Sequence, residues 1–297
     1  MRVRLLCGAA LFLLIVGIGA PAFAQGGVNE EVRRAVERAV EASVSSSVAE
    51  SLSRSVVSEG LPSMPTTTIF GSPFYNRIDG SISLGSFTAD TFGGVVGGLF
   101  KVNDVLLLHG AFSGAHTSID VKAGGTKASI DARFFEARLG ADVVFLNTQP
   151  AKAWFTLEGG VSNFDADLVG STWSWTGSPS ATLSLRAGPV LFEPSVGFSF
   201  SKEFDPANNG DTEVTFQPGF SLKYRGEIFR PQLNVSYAKT IAPRAAVDDG
   251  FISAGPEILF AVTPSFLVGG AYSYERPLTK GLNGNSHTGT LEVRWTF

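Results

Sequence analysis

From about residue 66 to the last residue, apolar and polar side chains alternate with a period of two, in run after run. Gly289, Leu291, Val293, Trp295 and Phe297 alternate with Thr288, Thr290, Glu292, Arg294 and Thr296. Phe229, Pro231, Leu233, Val235 and Tyr237 alternate with Arg230, Gln232, Asn234 and Ser236. Phe135, Ala137, Leu139, Ala141, Val143 and Phe145 alternate with Glu136, Arg138 and Asp142. In a strand, successive side chains point to opposite faces, so each run has one apolar, aromatic face and one polar, charged face. A chain patterned this way is β over most of its length, and the open question is what each face meets.

The runs number about twelve and fall at 77–86, 91–102, 104–116, 130–146, 151–163, 180–188, 190–201, 213–224, 227–238, 251–262, 265–276 and 287–297. Their connections alternate in length. Asn103-Asp104, 147–150, Gly188-Pro189, Arg225-Gly226 and Thr263-Pro264 are short; 121–127, 164–179, 203–211, 240–249 and 277–286 are long. An even strand count, tight turns at one end, long loops at the other and an apolar outer face describe a bacterial transmembrane barrel. Only a closed barrel lets strands cross lipid with every backbone group paired. A soluble sandwich or lipocalin-like barrel also alternates, but its two sets of loops need not differ. Charged residues are 17% of the chain, against about 25% in soluble domains. After residue 20 no apolar run approaches the roughly 18 residues of a spanning helix. The formal net charge of −4 argues against nonspecific nucleic-acid binding.

The chain begins differently. Arg2 and Arg4 precede an apolar stretch from Leu5 to Gly19, and Ala22-Phe23-Ala24 supplies a small-x-small cleavage signal. Residues 1–24 read as a secretory signal peptide. Its removal takes away Cys7, the sole cysteine, so no disulfide or thiol metal site is expected in the mature chain. Residues 25–65 are expected to form a helical segment and linker, with the helix over 28–58. Asn29 caps it, Glu30 and Glu31 occupy its first turn, and Gly60, Pro62 and Pro65 stop it. Val28, Val32, Val36, Val40, Val44, Val48, Leu52 and Val56 make an apolar stripe on a helix about 46 Å long. Residues 66–297 are the barrel domain. The fold expected is therefore all-β and membrane-embedded, a barrel of about 12 antiparallel strands preceded by one α-helix, a candidate plug for its lumen.

The chain resembles the translocator domain of autotransporters, the type V secretion family. A helix precedes the barrel. The segment GGVVGGLFKVNDVLLLHGAFSGAHTSID looks like the early part of that domain, and LRAGPVLFEPSVGFSFSKEF like its middle. The end, GTLEVRWTF, matches the signature of outer-membrane barrels in general, carried here by Val293, Trp295 and Phe297. The resemblance implies that this end is read by the barrel-assembly machinery. It also implies a helix inside the barrel. One departure stands out: only Gln25-Gly26-Gly27 separates the expected cleavage site from the helix, so no passenger is expected.

The candidate functional residues are the charges expected to face the lumen. The acids are Asp79, Glu136, Asp142, Glu158, Glu193, Glu257, Glu275 and Glu292; the bases are Arg77, Lys101, Arg138, Arg186, Lys223, Arg230 and Arg294. The two signs nearly balance, which suits a network of pairs better than a charge-selective pore. Arg33, Arg34 and Arg38, with Glu30, Glu31, Glu37 and Glu41, would let the helix pair with such walls. His109 and His116 have opposite parity and should straddle the wall, so they do not make a metal site. No catalytic motif, metal set or cofactor site is expected. Gly93, Gly94, Gly97 and Gly98 lack the Lys-Ser/Thr of a phosphate loop and suit curvature or a close approach of the helical plug instead. Asp205, Asn208, Asn209 and Asp211 read as a polar turn rather than a calcium loop. Phe145, Trp154, Tyr224, Tyr237, Tyr274, Trp295 and Phe297 are expected in the interfacial aromatic girdles. The partner expected is outer-membrane lipid, and the location the outer membrane after export. Three roles fit: a translocator-like envelope protein, a passive porin for small solutes, or an adhesion or structural protein acting through its outer loops, especially 164–180 with Trp173 and Trp175.

Overall fold

In a computed structural model the chain folds into one closed barrel. The structure describes residues 67–82, 85–123, 126–166, 170–204, 212–242, 250–278 and 283–297. The expected signal peptide, helix 28–58 and turn 205–211 lie outside them. Twelve antiparallel strands follow in order: β1 (Thr67–Ile82), β2 (Gly85–Lys101), β3 (Leu106–Ala123), β4 (Thr126–Asn147), β5 (Ala151–Ala166) and β6 (Gly170–Ala187); then β7 (Val190–Glu203), β8 (Glu213–Tyr224), β9 (Phe229–Ala242), β10 (Gly250–Thr263), β11 (Phe266–Pro277) and β12 (Asn283–Thr296). Each pairs with its neighbours in sequence, and β1 pairs with β12 to close the ring. Thr67 and Phe297 exchange backbone hydrogen bonds of 3.0 and 2.9 Å, so both ends of the barrel domain meet at one rim. That rim holds the five short turns and is periplasmic by the rule that tight turns lie there. At the first of these turns Asn103 Oδ1 accepts from the amides of Val105 and Leu106, both at 2.8 Å. This local bond is why Asn-Asp can reverse the chain there. At Gly188-Pro189 the backbone takes φ 60° at Gly188, a conformation glycine adopts without penalty.

The outer face is a band of exposed apolar side chains, among them Phe112, Leu139, Leu157, Phe192, Leu233 and Leu291. Near the periplasmic rim Phe145, Tyr224, Trp295 and Phe297 stand outward as an aromatic girdle. Trp154 does not join them. It is 0% exposed and packs inside the barrel with Leu99, Leu107 and Val144. Its parity matches Thr156 and Glu158, which face inward, so residue type misassigned it and position decides.

Three further expectations are corrected. The first strand runs over Thr67–Ile82, not 77–86, and pairs along its whole length with β2. Its inward face carries Phe70 and Phe74 as well as Thr68, Ser72 and Asn76, so the apolar-out rule hides it. The rings of Phe70 and Phe74 lie against Gly97 and Gly93 of β2, where a Cβ would come within 2.3 Å of a ring carbon. Those glycines serve this close approach. The connection at 121–127 is almost all strand, with pairing carried to Ala123 opposite Thr126. Of the segment 164–179, residues 164–166 end β5 and residues 170–179 begin β6, with Trp173 opposite Asn163 and Trp175 opposite Val161. Its Ser, Thr, Gly and Pro content resembles a loop, yet its parity is unbroken. Strands β3 to β6 therefore rise well past the roughly 9–11 residues needed to span the hydrocarbon.

Candidate functional site

Parity and burial sort the predicted lumen charges. Glu136, Arg138, Asp142, Glu158, Glu193, Lys223, Glu257, Glu292 and Arg294 share the inward face, as does Lys101. Arg230 shares the parity of Gln232 and donates to the Gly226 carbonyl at 3.2 Å. Glu275 stands opposite Ser253 at the outer end of the barrel. Arg186, exposed at the periplasmic rim, donates to the Gly188 carbonyl at 3.1 Å. Arg77 and Asp79 are different. They pair with each other on the outward face, with side chains 48% and 52% exposed. Phe70, Ser72 and Phe74 have taken the inward positions of β1, and β1 extends beyond the hydrocarbon, so charge on its outer face is solvated there.

The inward charges gather into two clusters in the periplasmic half of the lumen. In the first, Arg138 Nε lies 2.7 Å from Glu136 and its NH1 group 2.8 Å from Glu158 across the β4–β5 pair. His109 of β3 completes it. Its Nδ1 is 3.7 Å from Glu158 and its Nε2 3.7 Å from Asp142, while Thr156 donates to Asp142 at 2.5 Å. Asp142 is 1% exposed. Two glycines give these side chains room: a Cβ on Gly140 would meet the His109 ring at 2.4 Å, and one on Gly160 would meet Arg138 Cγ at 2.9 Å. His116 lies on the outer face, 3.7 Å from Asp131, so the two histidines do straddle the wall.

The second cluster runs around the opposite wall. Lys223 Nζ is 2.7 Å from Glu193, which also accepts from Ser184 at 3.0 Å. Gln232 donates to Glu257 and Arg294 pairs with Glu292. Arg294 also reaches Glu257 at 3.4 Å, so β9, β10 and β12 are tied at one height. Asn234 faces inward and accepts from Ser221 at 2.6 Å. Above this cluster β6 turns a row of hydroxyls inward: Thr172, Ser174, Thr176, Ser178, Ser180, Thr182 and Ser184. A cavity of about 150 Å³ lies against β7–β12, lined by Ser195, Ser221, Ser236, Ser253, Ser273 and Thr288 among others. Sequence reasoning put Gln232 on the polar face without singling it out, left open which of His109 and His116 faces inward, and missed the first half of the hydroxyl row. Parity was the signal that marks all three.

Burying an ion is costly unless a partner and hydrogen bonds compensate. Here carboxylates and cations interleave, so neither sign dominates the wall. Such a lining suits a lumen that holds polar, mixed-charge matter at close range. It does not present the single-sign ring of an ion-selective pore.

No family model and no curated relative matches the sequence. Solved structures do. The translocator domain of the autotransporter NalP from Neisseria meningitidis is 12% identical, with a TM-score of 0.55 over 86% of this chain and 99% of that one. The transport unit of the autotransporter AIDA-I from Escherichia coli is 12% identical, with a TM-score of 0.52 over 79% and 91%. An outer membrane channel from Pseudomonas putida F1 is 13% identical, with a TM-score of 0.53 over 80% and 97%. The chain thus has the twelve-stranded outer-membrane barrel fold that autotransporter translocator domains also have.

Proposed function

We propose that this barrel is a translocator-type conduit of the outer membrane whose lumen holds residues 28–58 as a helical plug, and that its role is envelope transport rather than chemistry. The observation that carries the reading is the pair of interleaved, buried charge clusters on opposite lumen walls. Residues 28–58 carry the same mixture, with three arginines and four glutamates in their first half. Length supports it as well. A helix of about 46 Å is close to the height of a 16-residue strand tilted at 35–45°. The segment connects to β1 at the periplasmic rim, where Thr67 begins. In this reading the chain is exported behind a cleaved leader, and the outward row of Val293, Trp295 and Phe297 on β12 is what the assembly machinery reads.

Single-channel conductance of the refolded barrel tests the proposal. The chain from residue 25 onward should pass little current, and deleting residues 25–60 should open steps several-fold larger. Equal, large steps from both would overturn the plug. The small-solute channel is a second reading, favoured by the hydroxyl-lined cavity against β7–β12. Liposome swelling by the undeleted chain would support it. Trp173 and Trp175 belong to β6, so an adhesin reading would use this strand end and the other outer loops rather than a loop at 164–180.

A further inference from the structure

Gly289 of β12 stands directly between Tyr75 of β1 and Tyr272 of β11, and all three are on the outward face. A Cβ placed on Gly289 meets nothing within 4 Å. Two strand spacings separate the tyrosines, roughly 10 Å, so the glycine floors an open slot between two aromatic walls. The walls are braced. Tyr75 donates to Asp90 at 2.5 Å and its ring lies 4.7 Å from that of Phe92; Tyr272 Oη is 2.6 Å from His287 Nδ1. Below, the slot opens onto Leu291, 66% exposed in the apolar band. Above, it meets His287 and the Arg77–Asp79–Asp90 group. The slot is therefore amphiphilic along its length and crosses from the hydrocarbon band toward the outer rim.

We propose that this slot is a binding site for one glycolipid of the outer leaflet. An acyl chain lies over Gly289 and Leu291, and a sugar headgroup sits against the tyrosine rings and the polar group above. The charges favour a sugar over a phosphate. Arg77 is already held by Asp79 at 3.1 Å and faces Asp90 at 3.7 Å, so two carboxylates surround one guanidinium. That arrangement repels a phosphate and accepts hydroxyl hydrogens, while tyrosine combines an apolar face with a polar tip at the membrane boundary. The site uses only the outer wall and does not depend on what fills the lumen.

Native mass spectrometry of the chain from residue 25 onward, in a polyoxyethylene detergent that carries no sugar, tests this. The probes are dephosphorylated lipid A and dioleoylphosphatidylglycerol. One glycolipid should stay bound per barrel under activation that strips the phospholipid. Gly289→Leu fills the slot and should lower the bound fraction about tenfold, while Ala137→Leu, on the outer face of β4, should leave it unchanged. Assembly of each variant is checked by heat-modifiable gel mobility. If Gly289→Leu does not assemble, Tyr272→Ala, which removes one wall, decides by the same readout. Phospholipid retained as well as glycolipid overturns the proposal. So does a slot-filled or wall-less variant that binds like the parent.

Discussion

The two halves of the barrel wall look alike from lipid and unlike from the lumen. Outward, β1–β5 show Phe112, Phe135 and Leu139, and β6–β10 show Phe192, Phe198 and Leu233. Inward, β1–β5 carry buried Phe70, Phe74, Leu99, Leu107, Phe134, Trp154 and Phe164 around their charged cluster. The inward face of β6–β10 carries the hydroxyl row, Ser195, Gln232, Asn234 and Ser253, with fewer buried apolar side chains, Leu191, Ala238 and Leu259, and the cavity lies against β7–β12. Hydrocarbon imposes one rule on every outward position because any charge there loses hydration. The lumen imposes none of comparable strictness, so the difference between the halves is a difference in what each packs against. One is a wall packed mainly with apolar side chains and the other a mainly polar one.

The largest expected contrast lies in the charge clusters. Arg138 serves two buried carboxylates, Glu136 and Glu158, and Arg138→Ala strands both. Removing one partner of a buried pair costs about 3–5 kcal/mol, and here two carboxylates lose their cation at once. Lys223→Ala on the polar wall removes a cation from one carboxylate, Glu193, which keeps its hydrogen bond from Ser184, so the loss should be about half as large. Urea unfolding of the refolded barrels in phospholipid vesicles measures both. Equal losses would erase the distinction between the walls.

Whether either wall has room is tested by inserting a long cation. Ala115→Arg drives a guanidinium into the packed wall beside Phe134, its partner across the β3–β4 pair, and should block assembly. Ser236→Arg projects into the cavity and should be tolerated. Leu291→Arg and Val235→Arg calibrate the scale from the lipid side, at about 2–4 kcal/mol near the midplane. Heat-modifiable gel mobility separates the outcomes. Loss of mobility shift in Ser236→Arg as well as Ala115→Arg would mean that the lumen is closed all round.

The same asymmetry explains what the sequence disclosed. Strands β7–β12 follow apolar-out, polar-in with few exceptions, Leu191, Leu259 and Leu267 among them, and their expected limits lie close to those observed. Strand β1 breaks the rule with Phe70 and Phe74 inside, so its first ten residues went unread. Trp154 breaks it the same way. Arg77 and Asp79 break it in reverse, because a strand that outruns the hydrocarbon can carry charge on its outer face. For β6, composition misled: Ser, Thr, Gly and Pro suggested a loop, while the alternation of Thr172, Ser174 and Thr176 with Trp173 and Trp175 was strand-like throughout. The pairing of Arg138 with Glu158 needed the β4–β5 register, which no single strand records. Position relative to a neighbour, and height relative to the membrane, are the two quantities a linear pattern does not carry.

The smallest contrast is also the sharpest, because it uses single methyl groups. At Gly97 a Cβ would lie 2.3 Å from the Phe70 ring and 2.6 Å from the Gly110 carbonyl oxygen. The ring can swing but the backbone cannot, so Gly97→Ala should cost about 1–3 kcal/mol, the usual range for overpacking. On the other wall Thr182 is buried, and its hydroxyl makes no hydrogen bond among the described residues. Thr182→Val keeps the shape and removes a polar group that has no protein partner, so stability should stay within about 0.5 kcal/mol of the parent or rise slightly. Unfolding midpoints in urea read both changes. A marked loss in Thr182→Val would mean that the hydroxyl row holds ordered water or a bound segment, which would join the polar wall to the contents of the lumen.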